Sequence, residues 1–229
     1  MDFKNIFEKY ELTHTEQNIL KYLYDNVERD LTIRKLAEES HVSPALIVKM
    51  AQKMKLAGYS ELNYHIRHAK QTFEYLQENE VVKTEGEAFL DIIREYQDKL
   101  IAVIGIGYSN NIAKYMSDYF NLYGFRSTSN FHHQFLRESH KKELLIIFVS
   151  NSGNTTELYE YSKVAHEKGI DYLLFTGNPH SKMKVNSRYT ICTNDYFIFR
   201  YREYKPQLFF GNILITYEKL MAYTLHNLA

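Results

Sequence analysis

Apolar residues in the first quarter of the chain recur three and four positions apart, the spacing of a buried helix face. One stripe lies within residues 14–28, and a second follows Thr32. A third begins after Ser43, a good helix cap, and Pro44, whose missing N–H costs nothing at the first helical position. Three short helices, the last two joined by a tight turn at residues 40–42, predict a helix-turn-helix. The pattern alone is equally typical of an unrelated three-helix bundle.

The pattern weakens after residue 61. Residues 61–97 read as helical with a polar break near residues 78–85, and the stretch QENEVVKTEGE is charged and lacks aromatic residues. Such a stretch is typical of a domain boundary. We therefore predict a helix-turn-helix domain over residues 1–77, a linker with a leading helix over 78–98, and a second domain over 99–229.

The second domain shows a different rhythm. LIAVIGIG is a continuous apolar run that ends in glycines, as expected for a strand buried on both faces of a parallel sheet. Strands and amphipathic helices then alternate, which predicts an α/β fold with a parallel sheet. The chain ends in one long helix over about residues 206–228. Its apolar stripe is best explained by subunit association and comprises Leu208, Phe209, Ile213, Leu214, Tyr217 and Leu220.

Composition indicates the cellular compartment in which the protein works. No stretch approaches the roughly 20 apolar residues of a membrane span, and the N-terminus is too polar and acidic for a signal peptide. Cys192 is the single cysteine, so neither an intrachain disulfide nor a cysteine-based zinc site can form. We expect a cytoplasmic protein that does not bind membranes.

Charge is informative only locally. Lysine plus arginine and aspartate plus glutamate balance at 28 each over the whole chain. Residues 31–72 hold seven basic and three acidic residues, a net of +4 by subtraction, and residues 40–60 hold no acid. A basic window in a neutral chain suits a DNA backbone, although a solvated basic face fits the charges equally well.

The first strand ends in Gly105-Ile106-Gly107-Tyr108-Ser109-Asn110, which then opens a helix. The sequence is similar to a dinucleotide fingerprint, but Asn110 replaces its third glycine. The acid expected about 20 residues later is also missing from the next strand. We therefore predict no nicotinamide cofactor, and no cofactor of any other kind.

The third strand ends in a second turn, residues 150–156. Hydroxyl groups of Ser150, Ser152 and Thr155 can converge there with the backbone N–H groups of a helix N-terminus, and Gly153 allows close approach. Such a turn holds phosphate without a lysine or arginine. An ordinary polar strand-to-helix turn is the alternative for this turn alone, but its pairing with the first turn predicts a phosphate site.

These motifs resemble a known family. GIGYS and SNSGNT make residues 99 to about 200 similar to a SIS (sugar isomerase) domain. LAEESHVSPALIVKMAQKMKLAGYSEL makes residues 1 to about 75 similar to the helix-turn-helix of RpiR-type regulators. The resemblance implies a bacterial transcription regulator that forms a dimer or tetramer, binds a palindromic DNA operator and responds to a phosphorylated sugar. The fold that it implies is a small all-α domain followed by a parallel-sheet α/β sandwich.

The resemblance also assigns site residues. The expected phosphosugar ligands are Gly107, Ser109, Ser150, Asn151, Ser152, Gly153, Asn154 and Thr155. The expected DNA-binding residues are Ser43, Pro44, Ala45, Ile47, Lys49 and Lys53. Thr176 and Ser181 would close over the sugar. Leu46 and Lys49 stand where the family usually has threonine and arginine, and a lysine cannot fork onto guanine as arginine does.

Two functions remain open from the sequence. The first is a regulator of carbohydrate metabolism without turnover, with no catalytic and no metal-binding residues. The alternative is a sugar-phosphate aldose-ketose isomerase with an accessory helical domain, which needs a positioned base. Glu157 in the first turn of a helix more often complements the helix dipole. His132, His133 and His140 lack the partners of a metal site.

Overall fold

The computed structural model describes residues 3–132, 135–196 and 207–228, apart from the side chains of residues 4, 5, 72, 73, 76 and 77. The chain forms two compact units. The helical unit comprises residues 1–83 together with 225–229, and the sheet unit comprises residues 84–224.

The helical unit contains the predicted helix-turn-helix. Its helices are α1 (Phe3–Lys9), α2 (His14–Asn26), α3 (Ile33–Glu39), α4 (Pro44–Lys53) and α5 (Tyr59–Glu78). The side chains of Thr13, Thr32 and Ser43 cap α2, α3 and α4, so the helix starts follow from the sequence. The apolar stripes converge on one core that includes Leu20, Leu23, Leu36, Ile47, Met50 and Leu62.

The turn between α3 and α4 is closed by backbone hydrogen bonds. His41 has a φ of 53°, the left-handed conformation that commonly ends a helix. The N–H groups of His41 and Val42 donate to the carbonyl oxygens of Glu38 and Ala37 at 3.1 and 2.9 Å. These bonds satisfy the last carbonyl groups of α3 and fix the direction in which α4 leaves the turn.

The stretch predicted as a linker with a leading helix is largely helical. Helix α6 (Glu80–Glu95) begins after Asn79, whose side-chain oxygen accepts a hydrogen bond from the Val81 N–H at 3.2 Å. Asn79 therefore separates α5 from α6 with a single non-helical residue. Later in α6, Phe89 is fully buried and its ring meets Phe175 edge-on, which ties the leading helix to the sheet.

The described part of the sheet unit contains five parallel strands. They are β1 (Leu100–Gly105), β2 (Arg126–Thr128), β3 (Leu144–Ser150), β4 (Asp171–Thr176) and β5 (Tyr189–Cys192), in the order β2-β1-β3-β4-β5. The intervening and following helices are α7 (Tyr108–Leu122), α8 (Thr156–Glu167) and α9 (Leu208–Leu228). The predicted fold class, a helix-turn-helix followed by a parallel α/β unit, is confirmed.

Helices cover both faces of the sheet, as the unbroken apolar strands require. Alternate strand residues such as Phe148 and Leu174 pack in one core with Leu158 and Ala165 of α8. On the other face, the ring of Phe175 meets those of Phe89 in α6 and Tyr217 in α9.

The prediction of a subunit interface on α9 is wrong for four of the six residues of its apolar stripe. Phe209, Ile213, Tyr217 and Leu220 are fully or almost fully buried within the chain itself. The Tyr217 hydroxyl donates to the carbonyl of Met116 at 3.0 Å, which fastens α9 to α7. An amphipathic helix that covers a sheet has the same apolar stripe as one that joins two subunits. The sequence pattern of α9 therefore could not distinguish packing within the chain from packing between subunits. In the described ranges, no helix is both long and apolar enough to span a bilayer.

Candidate functional site

A cavity of about 310 Å³ opens at the carboxyl ends of β1 and β3. In this strand order the connections after β1 and β3 leave toward opposite faces of the sheet, and such a reversal leaves a crevice where ligands bind. Six of the eight residues predicted for the phosphosugar line it, namely Gly107, Ser109, Ser150, Asn151, Ser152 and Thr155. Residues from two turns, separated along the chain by α7, β2 and β3, thus come together at one edge of the sheet.

The turn after β1 brings the start of α7 close to the strand. A side chain at Gly105 would place its Cβ 2.3 Å from the carbonyl oxygen of Ser109, so only glycine allows this approach. Gly107 occupies the N-cap of α7 and offers no capping side chain. The first N–H groups of a helix have no partner within it, and here they lie beside the cavity with the positive end of the helix dipole.

The turn after β3 carries the hydroxyl groups. Ser150 accepts a hydrogen bond from the Gly153 N–H at 3.1 Å, and its Oγ lies 3.3 Å from Oγ1 of Thr155. Ser152 accepts one from the Asn154 N–H at 3.2 Å. Thr155 is the N-cap of α8, yet its side chain does not cap the helix. The start of α8 therefore combines a hydroxyl group with helix N–H groups beside the cavity.

A second layer of residues holds this turn in place. Gly153 has a φ of +60°, and a Cβ there would lie 2.0 Å from Oγ of Ser181. Ser181 donates to the Gly153 carbonyl at 2.7 Å, and the Lys182 N–H donates to Oδ1 of Asn154 at 2.9 Å. Gly153 and Asn154 thus lie on the braced side of the turn and are not among the residues that line the cavity.

Thr176 and Ser181 do not close over the cavity, so that prediction is wrong. Thr176 has no exposed surface, Ser181 is buried, and neither is among the lining residues. The Thr176 hydroxyl donates to the carbonyl of Asn151 at 3.3 Å. Both side chains form hydrogen bonds to the backbone of the turn after β3. They reach this turn because β4, which ends at Thr176, lies next to β3 in the sheet.

Sequence reasoning missed an aromatic side of the cavity. Tyr108, Tyr196 and Phe210 line it together with the predicted residues, and the rings of Tyr108 and Phe210 meet edge-on at 5.9 Å. Tyr196 follows β5, and Phe210 lies in the first turn of α9. Aromatic residues spread over distant segments give no local signal, so only the packing of α9 beside α7 reveals this side.

The residues considered as a base or as metal ligands lie elsewhere. Glu157 is exposed, and one of its oxygens accepts a hydrogen bond from the Tyr161 hydroxyl at 2.7 Å. Nδ1 of His140 lies 2.8 Å from the carbonyl oxygen of Phe135, and His133 falls outside the described residues. Among the described residues, no three His, Cys, Asp or Glu side chains are grouped as metal ligands.

Helix α4 presents an exposed face with one lysine at its middle. Ser43, Pro44, Ala45 and Lys49 are exposed, and they carry the start of the helix that would enter a DNA groove. Ile47 has no exposed surface and belongs to the core of the helical unit. The prediction that Ile47 contacts DNA is therefore wrong, because its side chain points from α4 into the protein.

Lys53 has an intramolecular partner. Its ammonium group donates to the carbonyl of Glu11 at 2.6 Å and to the carboxylate of Glu16 at 3.2 Å. Burial opposes ionisation of Glu16, but hydrogen bonds from Thr13 and Lys53 outweigh it and hold the pKa of this carboxyl below its ordinary value. This contact holds α4 against the start of α2, and the DNA-binding role of Lys53 stays a prediction.

Comparisons with known proteins agree with the two units. A family model for the helix-turn-helix domain of the rpiR family matches residues 5–72, and a model for the SIS domain matches residues 96–217. An uncharacterized HTH-type transcriptional regulator of Clostridium perfringens is 23% identical over 216 residues, which cover 80% of this chain and 77% of that protein.

Two solved structures are similar to this chain. A candidate phosphosugar isomerase involved in capsule formation in Bacteroides fragilis is 18% identical, with a TM-score of 0.51 over 71% of this chain and 91% of that one. The Vibrio vulnificus NanR protein, complexed with ManNAc-6P, is 19% identical, with a TM-score of 0.49 over 98% of this chain and 90% of that one. The similarity to the Bacteroides structure shows a shared fold.

Proposed function

We infer the function from the family. This chain belongs to the RpiR-type transcriptional regulators, with an rpiR-family helix-turn-helix followed by a SIS domain. The helical unit binds a double-stranded DNA operator, and a phosphorylated sugar in the cavity between β1 and β3 controls that binding. The protein thereby regulates genes of carbohydrate metabolism in the cytoplasm.

The observation that carries the proposal is the convergence of two helix N-termini and four hydroxyl side chains on one cavity. Ser109, Ser150, Ser152 and Thr155 line it, and no lysine or arginine does so among the described residues. Helix N–H groups and hydroxyl groups bind phosphate through hydrogen bonds and the helix dipole. Such a site favours a phosphate ester over the free sugar, because the free sugar brings no charge to the dipoles.

The residues that line the cavity favour binding of a sugar phosphate without its chemical conversion. Aldose-ketose isomerisation moves a proton and needs a base within hydrogen-bond reach of the sugar carbons. The described residues that line the cavity include no carboxylate, imidazole or amine. We therefore assign the cavity to an effector and no residue to catalysis.

The effector site is tested by removing one hydroxyl group. A hydrogen bond to a charged group contributes about 1.5–3 kcal/mol, so Ser152→Ala should weaken binding roughly 10- to 150-fold. Titration calorimetry against a panel of hexose 6-phosphates measures the loss. Thr155→Val, which keeps the shape of the side chain, should show a similar loss, and exposed Ser139→Ala serves as the control.

Two outcomes would contradict this assignment. If Ser152→Ala and Thr155→Val both bind as tightly as the wild type, the phosphate does not lie on this turn. If NMR shows that the wild type converts an aldose phosphate into its ketose, the protein is an isomerase.

DNA binding is tested at Lys49. This side chain is exposed, and the ion pairs found among the described residues do not include it. Loss of one phosphate contact should reduce the salt dependence of binding by about one counterion. Lys49→Gln should therefore bind duplexes selected from a random library more weakly, with a shallower salt slope. Lys21→Gln on α2 is the control, and equal binding by both variants would exclude this face.

We propose that the subunit interface lies on an exposed stripe of α7 and α9. The stripe consists of apolar residues seven positions apart, which are Tyr115 and Leu122 on α7 and Leu208 and Ile215 on α9, each at least 42% exposed. The Tyr115 hydroxyl donates to Glu218, so the two helices lie side by side. Large exposed apolar surface commonly marks a protein interface, and a dimer matches a palindromic operator.

The stripe is tested by sedimentation. Leu122→Asp or Ile215→Asp should convert the oligomer into a folded monomer. Val185→Asp is a matched control, since Val185 is 83% exposed and lies outside the stripe. A wild type that sediments as a monomer at micromolar concentration would rule the interface out.

A further inference from the structure

Two chemically different groups of side chains line the cavity. Ser109, Ser152 and Thr155 bring hydroxyl groups, which we call the hydroxyl side, and Tyr108, Tyr196 and Phe210 bring aromatic rings, the aromatic side. A phosphate group uses only the hydroxyl side. The aromatic side must therefore contact the remainder of the ligand, which in the proposed function is the sugar itself.

The aromatic residues are fixed by backbone and side-chain hydrogen bonds. The Tyr196 N–H donates to the carbonyl of Gly177 at 3.1 Å. Asp195 accepts from the Thr193 hydroxyl at 2.7 Å and from the side-chain amide of Asn212 at 2.9 Å. One carboxylate thus links the segment that carries Tyr196 to the turn of α9 that carries Phe210. The segments that carry the two rings are therefore positioned before any ligand arrives, which lowers the entropic cost of binding.

Rigid aromatic rings discriminate between the two forms of a sugar. A pyranose ring presents C–H groups on its faces, and these can be buried against aromatic carbon. An open-chain sugar has a hydroxyl or carbonyl group on every carbon and several freely rotating bonds. Burial of that chain against a ring leaves polar groups without partners and orders each bond.

We propose that this cavity recognises the phosphate ester of a sugar in its closed ring form, with the ring packed against Phe210, Tyr196 and Tyr108. The inference rests on the proposed phosphosugar site and adds the class of ligand. A volume of about 310 Å³ suits one monosaccharide phosphate, since it lies at the lower end of the range for ligand pockets. Isomerases act on the open chain, so a site selective for the ring also retains its effector unchanged.

Binding of ring-locked and of open-chain sugar phosphates tests whether the cavity prefers the closed ring. We would measure by calorimetry the binding of 1,5-anhydroglucitol 6-phosphate against glucitol 6-phosphate, and of 1,5-anhydromannitol 6-phosphate against mannitol 6-phosphate. Inorganic phosphate reports the hydroxyl side alone. In at least one pair the locked ring should bind about tenfold more tightly, the contribution expected of one good aromatic contact.

The variant Phe210→Ala should remove most of that preference and leave the affinity for inorganic phosphate unchanged. Gln207→Ala is the matched control, because Gln207 directly precedes α9, is exposed and does not line the cavity. Circular dichroism checks that both variants are folded. Tyr196→Ala gives a second variant from a different segment, with the same expected loss.

The outcomes separate a failure of the ring-form inference from a failure of the proposed phosphosugar site. Open-chain phosphates that bind as tightly as the locked rings would overturn the inference while the phosphate site stands. So would sugar phosphates that all bind no more tightly than inorganic phosphate. If neither inorganic phosphate nor any ester binds the wild type at millimolar concentration, the proposed effector site itself is wrong.

Discussion

The contact between Lys53 and Glu16 gives the sharpest test of how the helical unit is built. Lys53→Met keeps the alkyl stem of the side chain and removes its charge. Glu16 would then remain in a site where only 8% of its side chain is exposed, without the ammonium group 3.2 Å away. We expect the helical unit to lose stability, because a buried carboxylate is left with fewer partners.

The magnitude follows from the exposure of the two groups. Exposed ion pairs contribute about 0.2–1 kcal/mol, and loss of one partner from a buried pair costs about 3–5 kcal/mol. Here the carboxylate is buried, but 36% of the lysine side chain is exposed, and Thr13 still donates two hydrogen bonds to Glu16. We therefore expect a loss of about 1–2 kcal/mol, intermediate between those limits. For a unit of this size that corresponds to a fall in melting temperature of about 5–10 °C.

Acid should reduce this difference between wild type and variant. The pKa of Glu16 is lowered in the folded state, so its stabilisation is complete above its ordinary value of 4.5 and is lost as pH falls below that value. Once Glu16 is protonated, Lys53 no longer has a charge to bind. The gap in unfolding free energy should therefore narrow as the pH falls below about 4.5.

Calorimetric melting at several pH values measures these effects, with Lys49→Met as the control. Lys49 lies on the same helix, one turn earlier, and is exposed. A double-mutant cycle with Glu16→Gln isolates the coupling between the two side chains. If Lys53→Met is as stable as Lys49→Met yet loses affinity for DNA, Lys53 contacts DNA and the positioning role is refuted.

Three further predictions follow from single positions. Gly153→Ala adds about 1–2 kcal/mol of left-handed backbone strain and displaces Ser181, so calorimetry should show more than tenfold weaker binding of hexose phosphates. Phe209→Asp buries a charge in the core of the sheet unit, so circular dichroism should show unfolding. A variant that instead folds as a monomer would show that Phe209 lies in a subunit interface. His41→Gly relieves a φ of 53° and should stabilise the helical unit by about 0.5–1 kcal/mol, and an unchanged denaturation midpoint would contradict the turn geometry.

The local features of this protein could be predicted from the sequence. Thr13, Thr32 and Ser43 cap helices, and the apolar runs at β1 and β3 become buried strands, because both depend on residues a few positions apart. The two strand-end turns also follow from local chemistry. Parallel strands bring their carboxyl ends to the same edge of a sheet, so the convergence of GIGYS and SNSGNT needed only the fold class.

The direction of each side chain and its distant partner were decided by the tertiary structure. Ile47 and Lys49 are two positions apart on α4, yet one is core and the other is exposed. Lys53 meets Glu16 across 37 residues, and Phe210 meets the ring of Tyr108 from the far end of the sheet unit's sequence. Periodicity shows that a helix has an apolar face, but the same face can cover a sheet or a second subunit. Which of the two is covered depends on the free energy of packing the whole chain, and for α9 that energy placed Phe209 and Tyr217 in the protein's own core.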